Sequence, residues 1–157
     1  MSSVPLPDAA QIKDLLGFLF DGLTVKPAAK LDASAASSSF VAVYVTDEGA
    51  PRALCACDLS FAANSGAALS ILPPAAAKDA IKSKALTSTM SDNLREVMNI
   101  CTRLILKDGS PHLKLQDVFA AKQVPATAAA IAGSKTRVDF EIGLGKYGSG
   151  AFAVIAQ

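Results

Sequence analysis

The sequence has no tryptophan and only two tyrosines, its one histidine is His112, and its three cysteines are an odd number with no CxxC pair. Each shortage closes a class of function. Without paired cysteines a disulfide framework is not expected, and the composition agrees with a reducing compartment. The net charge of +1 comes from mixed signs, with no basic run and no basic stripe rich in aromatics, which argues against a nucleic-acid partner. No apolar stretch approaches the roughly 18 residues that span a bilayer. The opening MSSVPLPDAA lacks the basic and apolar regions of a signal peptide. The chain is therefore expected to be soluble and cytoplasmic, with no membrane partner.

What is present is a chain of 157 residues, 51% of them hydrophobic, with alanine carrying much of that share. No break in composition divides it, so residues 1–157 are expected to form a single domain. At this size a chain hides about 68–70% of its unfolded surface, enough for a sizeable core.

Asp8, or Pro7 before it, opens a helical pattern in which Ile12, Leu15, Leu16, Phe18, Leu19 and Phe20 supply the apolar face, running to about Gly22. Residues 23–26 read as a short strand and the aperiodic Ala/Ser-rich stretch 27–39 as a loop. Residues 40–45 (FVAVYV) and 51–57 (PRALCAC) read as two strands joined by a polar hairpin turn. Asp58 caps a helix over about 59–72, with Phe61, Ala62, Ala67, Leu69 and Ile71 available to the core, until Pro73 and Pro74 stop it. A short helix follows over about 75–84. A long helix over about 88–107 opens on Thr89 and Asp92, in capping-box spacing, and closes on Lys107, Gly109 and Pro111. Residues 113–120 read as a strand, 126–132 as a short surface helix, and 136–144 with 150–156 as a terminal hairpin. Strands joined by hairpins rather than helical crossovers point to an α+β fold, a largely antiparallel sheet with helices packed on it.

Gly143, Gly145 and Gly148 match GxGxxG, but only nine residues follow and they alternate like a strand, so a hairpin turn is expected rather than a dinucleotide loop. Cys55 and Cys57 share one strand face, where Cys101 could approach them. The alternatives are a three-thiolate metal site or three small buried hydrophobes, and the spacing favours the second. His112 lies in a loop with no Ser/Asp spacing that makes a hydrolase triad, so it reads as a surface histidine.

The long helix carries more. At about 100° per residue Glu96 and Asn99 lie about 60° apart, and Asp92 and Arg103 fall in the same sector, while Leu94, Val97, Met98, Cys101, Leu104 and Ile105 lie opposite. An acid and a carboxamide one turn apart on a solvent face can enter another molecule's site together.

The segment SDNLREVMNICTR, residues 91–103, resembles the signature helix of the CheC/CheX family of chemotaxis phosphatases, in which an acidic or small polar residue, Glu and Asn recur at the spacing of Asp92, Glu96 and Asn99. Residues 12–26 resemble the family's leading helix and TVKP entry strand, and residues 40–72 its hairpin and following helix. The leading helix has no Glu/Asn pair, so the chain looks like the single-site CheX type. It departs from the family pattern at Arg103, where relatives carry a small residue. That cation either obstructs a docking partner or meets its phosphate or acidic pocket. The resemblance implies a phosphatase acting on an aspartyl-phosphorylated, CheY-like response-regulator receiver domain in chemotaxis or two-component signalling. In it Glu96 engages the receiver's lysine, Asn99 holds the attacking water, and Asp92 and Arg103 are peripheral docking charges. The Mg²⁺ would belong to the receiver, leaving this chain no cofactor of its own. A catalytically inactive adaptor on the same fold is the alternative, and monomer and homodimer both stay open.

Overall fold

The computed structural model describes residues 3–157. Six strands, β1 (Leu23–Pro27), β2 (Phe40–Val45), β3 (Pro51–Cys57), β4 (Lys114–Ala120), β5 (Arg137–Leu144) and β6 (Ser149–Ala156), form one sheet in the order β1-β5-β6-β3-β2-β4. Each pairing is antiparallel. Among the described residues five α-helices accompany it: α1 (Ala9–Leu16), α2 (Leu59–Leu69), α3 (Pro74–Ser83), α4 (Ser88–Ile100) and the short α5 (Ala126–Ala129). This is the α+β arrangement that the two hairpins implied.

The central strands are buried on both faces, which is why FVAVYV and PRALCAC read as near-continuous apolar runs. Ala42, Tyr44, Cys55, Cys57, Phe152 and Val154 face a core shared with Ile12 and Leu16 of α1, Phe61 of α2 and Leu94 and Met98 of α4. Their neighbours Val41, Val43, Leu54, Ala56, Ala153 and Ile155 face the other way, beneath Ala33, Ala128 and Ile131. The Ala/Ser loop thus covers one side of the sheet. Arg137 holds it there, pairing with Asp139 at 2.7 Å and donating to the Leu31 carbonyl at 3.0 Å, while the Leu31 amide donates to Asp139 at 2.8 Å.

Several boundaries differ from the sequence expectation. Asp8 does cap α1, in a reciprocal capping box with Gln11, but the helix stops at Leu16 instead of reaching Gly22. The amides of Leu19 and Phe20 both turn back onto the Leu16 carbonyl. Phe18, assigned to the apolar face, is consequently 90% exposed. Likewise α2 ends at Leu69 rather than Leu72, because Ile71 takes a left-handed turn (φ 54°) ahead of the two prolines, and its side chain leaves the core at 81% exposure. α3 starts on Pro74, whose missing N–H has no helical bond to lose at that position. The cap of α4 is Thr87, which accepts from the Met90 amide at 3.2 Å, not Thr89. The GxGxxG segment is the β5–β6 turn, with Gly145 (φ 58°) and Gly148 (φ 107°) in backbone conformations that side chains disfavour.

α2 fixes the height of α4 over the sheet. A Cβ built on Gly66 would lie 2.9 Å from the Met90 Cα, Cβ and carbonyl oxygen, so only glycine permits this approach. Asn93 completes the contact, its amide donating to the Gly66 carbonyl at 2.8 Å and the Ser70 hydroxyl at 2.7 Å. Gly66→Ala gains helix propensity of about 1 kcal/mol, yet overpacking at such contacts costs about 1–3 kcal/mol. A net loss is expected because the clash is with backbone, and a urea melt with an unchanged or raised midpoint contradicts this packing.

Candidate functional site

α4 presents its two faces as the sequence pattern required. Leu94, Val97, Met98, Cys101, Leu104 and Ile105 are buried, and Asp92, Glu96, Asn99 and Arg103 are exposed. Among the described residues none of these four side chains has a hydrogen-bond or ion-pair partner. Their neighbours on the helix are committed: Asn93 to α2, as above, and Arg95 to Asp117 on β4. The free stripe is therefore flanked by engaged polar groups that stiffen its base.

The expected helix over 88–107 is interrupted. Its α-helical part ends at Ile100, and residues Cys101–Ile105 continue as a 3₁₀ helix. The switch falls beside a contact from the sheet. Tyr44 on β2 is completely buried, and its hydroxyl finds its partner in the Met98 carbonyl at 2.5 Å. A side chain entering the i→i−4 ladder distorts a helix. The Cys101 amide still reaches the Val97 carbonyl, the last regular α-helical bond, and also lies within reach of the Asn99 carbonyl. A 3₁₀ helix advances about 120° per residue against about 100° in an α-helix, so three such residues turn Arg103 about 60° further round, from between Glu96 and Asn99 to about 40° beyond Glu96. Arg103 consequently lines a groove against Leu15 and Phe18 of the α1 segment. The exposed polar stripe of the α-helical part is Asp92, Glu96 and Asn99, and Arg103 lies at its edge. Tyr44 carries the sequence-level signal that went unused: it is the lone phenol in an apolar strand, and a buried phenol needs a partner.

The three thiols belong to one core cluster. Burial raises all three, Cys55 to about 12 and Cys57 and Cys101 well above the ordinary thiol range. Among the described residues no group of three or more His, Cys, Asp or Glu side chains is arranged to hold a metal ion. His112 is exposed, with Nδ1 2.9 Å from Asp47 Oδ1. No helix among the described residues is long and apolar enough to cross a membrane.

Against solved structures, the chain matches the crystal structure of the CheX-CheY-BeF3-Mg2+ complex from Borrelia burgdorferi at a TM-score of 0.53 and 14% identity, over 94% of this chain and 90% of that one. CheY is a doubly-wound parallel fold, which an all-antiparallel sheet cannot match, so the likeness is to CheX. The fold is the CheX fold. The FliM middle domain from H. pylori is also similar, at a TM-score of 0.48 and 12% identity over 94% of this chain and 82% of that one. No protein-family model and no curated protein matches the sequence. On the CheX fold, α4 is the helix that bears the Asp92, Glu96 and Asn99 stripe.

Proposed function

We propose that the chain docks a CheY-like receiver domain and accelerates hydrolysis of its aspartyl phosphate. The observation that carries this reading is the unpartnered Glu96 and Asn99 pair, one turn apart and exposed, on a helix whose opposite face is locked into the core of a CheX fold. The CheX of that similar structure is in complex with CheY, BeF3 and Mg2+. An acyl phosphate needs little covalent help, and a water held in line with the breaking bond supplies most of what is required. The Asn99 amide can hold such a water through both its oxygen and its nitrogen. Glu96 pairs with the receiver's lysine and sets the orientation of the two proteins, while the receiver's own Mg²⁺ neutralises the phosphoryl oxygens. Asp92 adds a rim charge worth about 0–1 kcal/mol. This chain then needs no metal of its own.

The test is to mix the protein with phosphorylated receiver domains and separate binding from turnover. Wild type is expected to bind and to release phosphate repeatedly. Glu96→Gln is expected to weaken association by about 3–10-fold at low salt, with the difference shrinking as salt screens the lost ion pair. An unchanged affinity and salt slope in Glu96→Gln removes that residue from the interface. Stoichiometric binding with an unaltered phosphate lifetime supports the adaptor reading instead.

A further inference from the structure

Phe18 is the most exposed large hydrophobic side chain among the described residues, at 90%, and it stands beside a groove of ≈350 Å³ between the α1 segment and the 3₁₀ tail of α4. Leu15, Leu104 and Leu106 line the groove together with Phe18, and Arg103 and Lys107 supply two cations against the single anion Asp14. Neither cation has a carboxylate partner among the described residues. Exposed aromatics beside apolar pockets, ringed by charge, are the usual anchors of protein interfaces. Arg103 follows Asn99 by four residues, three of them in 3₁₀ geometry, an axial rise of about 7–8 Å, so a body that reaches Asn99 also covers the mouth of the groove.

We infer that this groove is the second half of the receiver-docking surface, with Phe18 as its apolar anchor and Arg103 and Lys107 as the charges that select an acidic receiver face. The inference rests on the proposed receiver-phosphatase function and adds where specificity comes from. Charge complementarity identifies the occupant. The stripe is anionic at Asp92 and Glu96 and the adjoining groove is cationic at Arg103 and Lys107, so together they match a partner whose lysine and whose phosphoryl and carboxylate groups sit side by side, as they do around a receiver's phosphorylated aspartate. The polarity also fixes direction, because a receiver docked in reverse sets its anions against Glu96.

The full-length chain is titrated with a panel of CheY-type receiver domains carrying beryllofluoride and Mg²⁺, and phosphate release is followed separately with phosphorylated receivers. Phe18→Ala and Arg103→Glu are each expected to weaken binding by about tenfold or more, as the loss of an interface anchor does, while thermal melting stays unchanged because both side chains are exposed. Ile71→Ala, which removes another strongly exposed apolar side chain from outside the groove, is expected to bind as wild type. If Phe18→Ala binds as tightly as wild type while Asn99→Ala abolishes release, the groove inference is overturned and the phosphatase reading stands. Equal weakening by Ile71→Ala also overturns it, since apolar contact is then not confined to the groove. If Phe18→Ala weakens binding but wild type never speeds release, the docking surface stands and the catalytic reading falls. Indifference of wild type to every receiver overturns both.

Discussion

Asn99→Ala is expected to slow phosphate release from an aspartyl-phosphorylated receiver by about 10²–10³-fold, the loss typical of removing one positioned polar group that acts in the transition state. Binding and stability should be nearly untouched. The Asn99 side chain is exposed and has no hydrogen-bond partner among the described residues, so its truncation opens no buried cavity and strands no buried polar group. The contrast with Glu96→Gln is diagnostic: one change acts on turnover and the other on association. Parallel losses of turnover and affinity in both variants would mean that the two side chains form one binding patch with no division of labour.

One residue earlier in the chain the expectation reverses. Met98 is fully buried in the core beneath α4, and Met98→Ala is expected to cost about 2–5 kcal/mol through lost transfer energy and the cavity left behind. The substitution keeps the Met98 carbonyl, so the Tyr44 hydroxyl retains its acceptor and the switch to 3₁₀ geometry is preserved. Chemical denaturation should therefore show a lower midpoint for Met98→Ala and a wild-type midpoint for Asn99→Ala. Equal destabilisation by both changes would contradict the orientation of the helix.

The parts of the structure legible in the sequence are those where a local pattern meets a local cause. The hairpin strands Phe40–Val45 and Pro51–Cys57 match the expected residues because a polar turn separates two apolar runs buried on both faces. The two faces of α4 follow from helical periodicity alone. Periodicity says nothing about where a helix stops, and that is why Phe18 and Ile71 were assigned to cores they never enter: α1 and α2 end before reaching them. The position of Arg103 was hidden for a different reason. It follows from the 3₁₀ geometry of residues 101–105, which sets in beside the Tyr44–Met98 contact, a pairing across 54 residues of sequence. The anchoring of the Ala/Ser loop is equally non-local, with Arg137 and Leu31 separated by 106 residues, and no short-range rule reports such a contact. The exposure of Glu96 and Asn99 follows from the helical period of α4, whereas the groove beside Phe18 exists only once two distant segments have packed.

The most direct measurement is the lifetime of the aspartyl phosphate on a receiver domain held in large molar excess over this protein. Decay of the whole receiver pool at a rate proportional to the amount of wild-type protein, and reduced to near the spontaneous rate with Asn99→Ala, is the expected result. A lifetime that wild-type protein leaves unchanged, or alters only in proportion to the receiver it binds, contradicts catalysis by the α4 stripe.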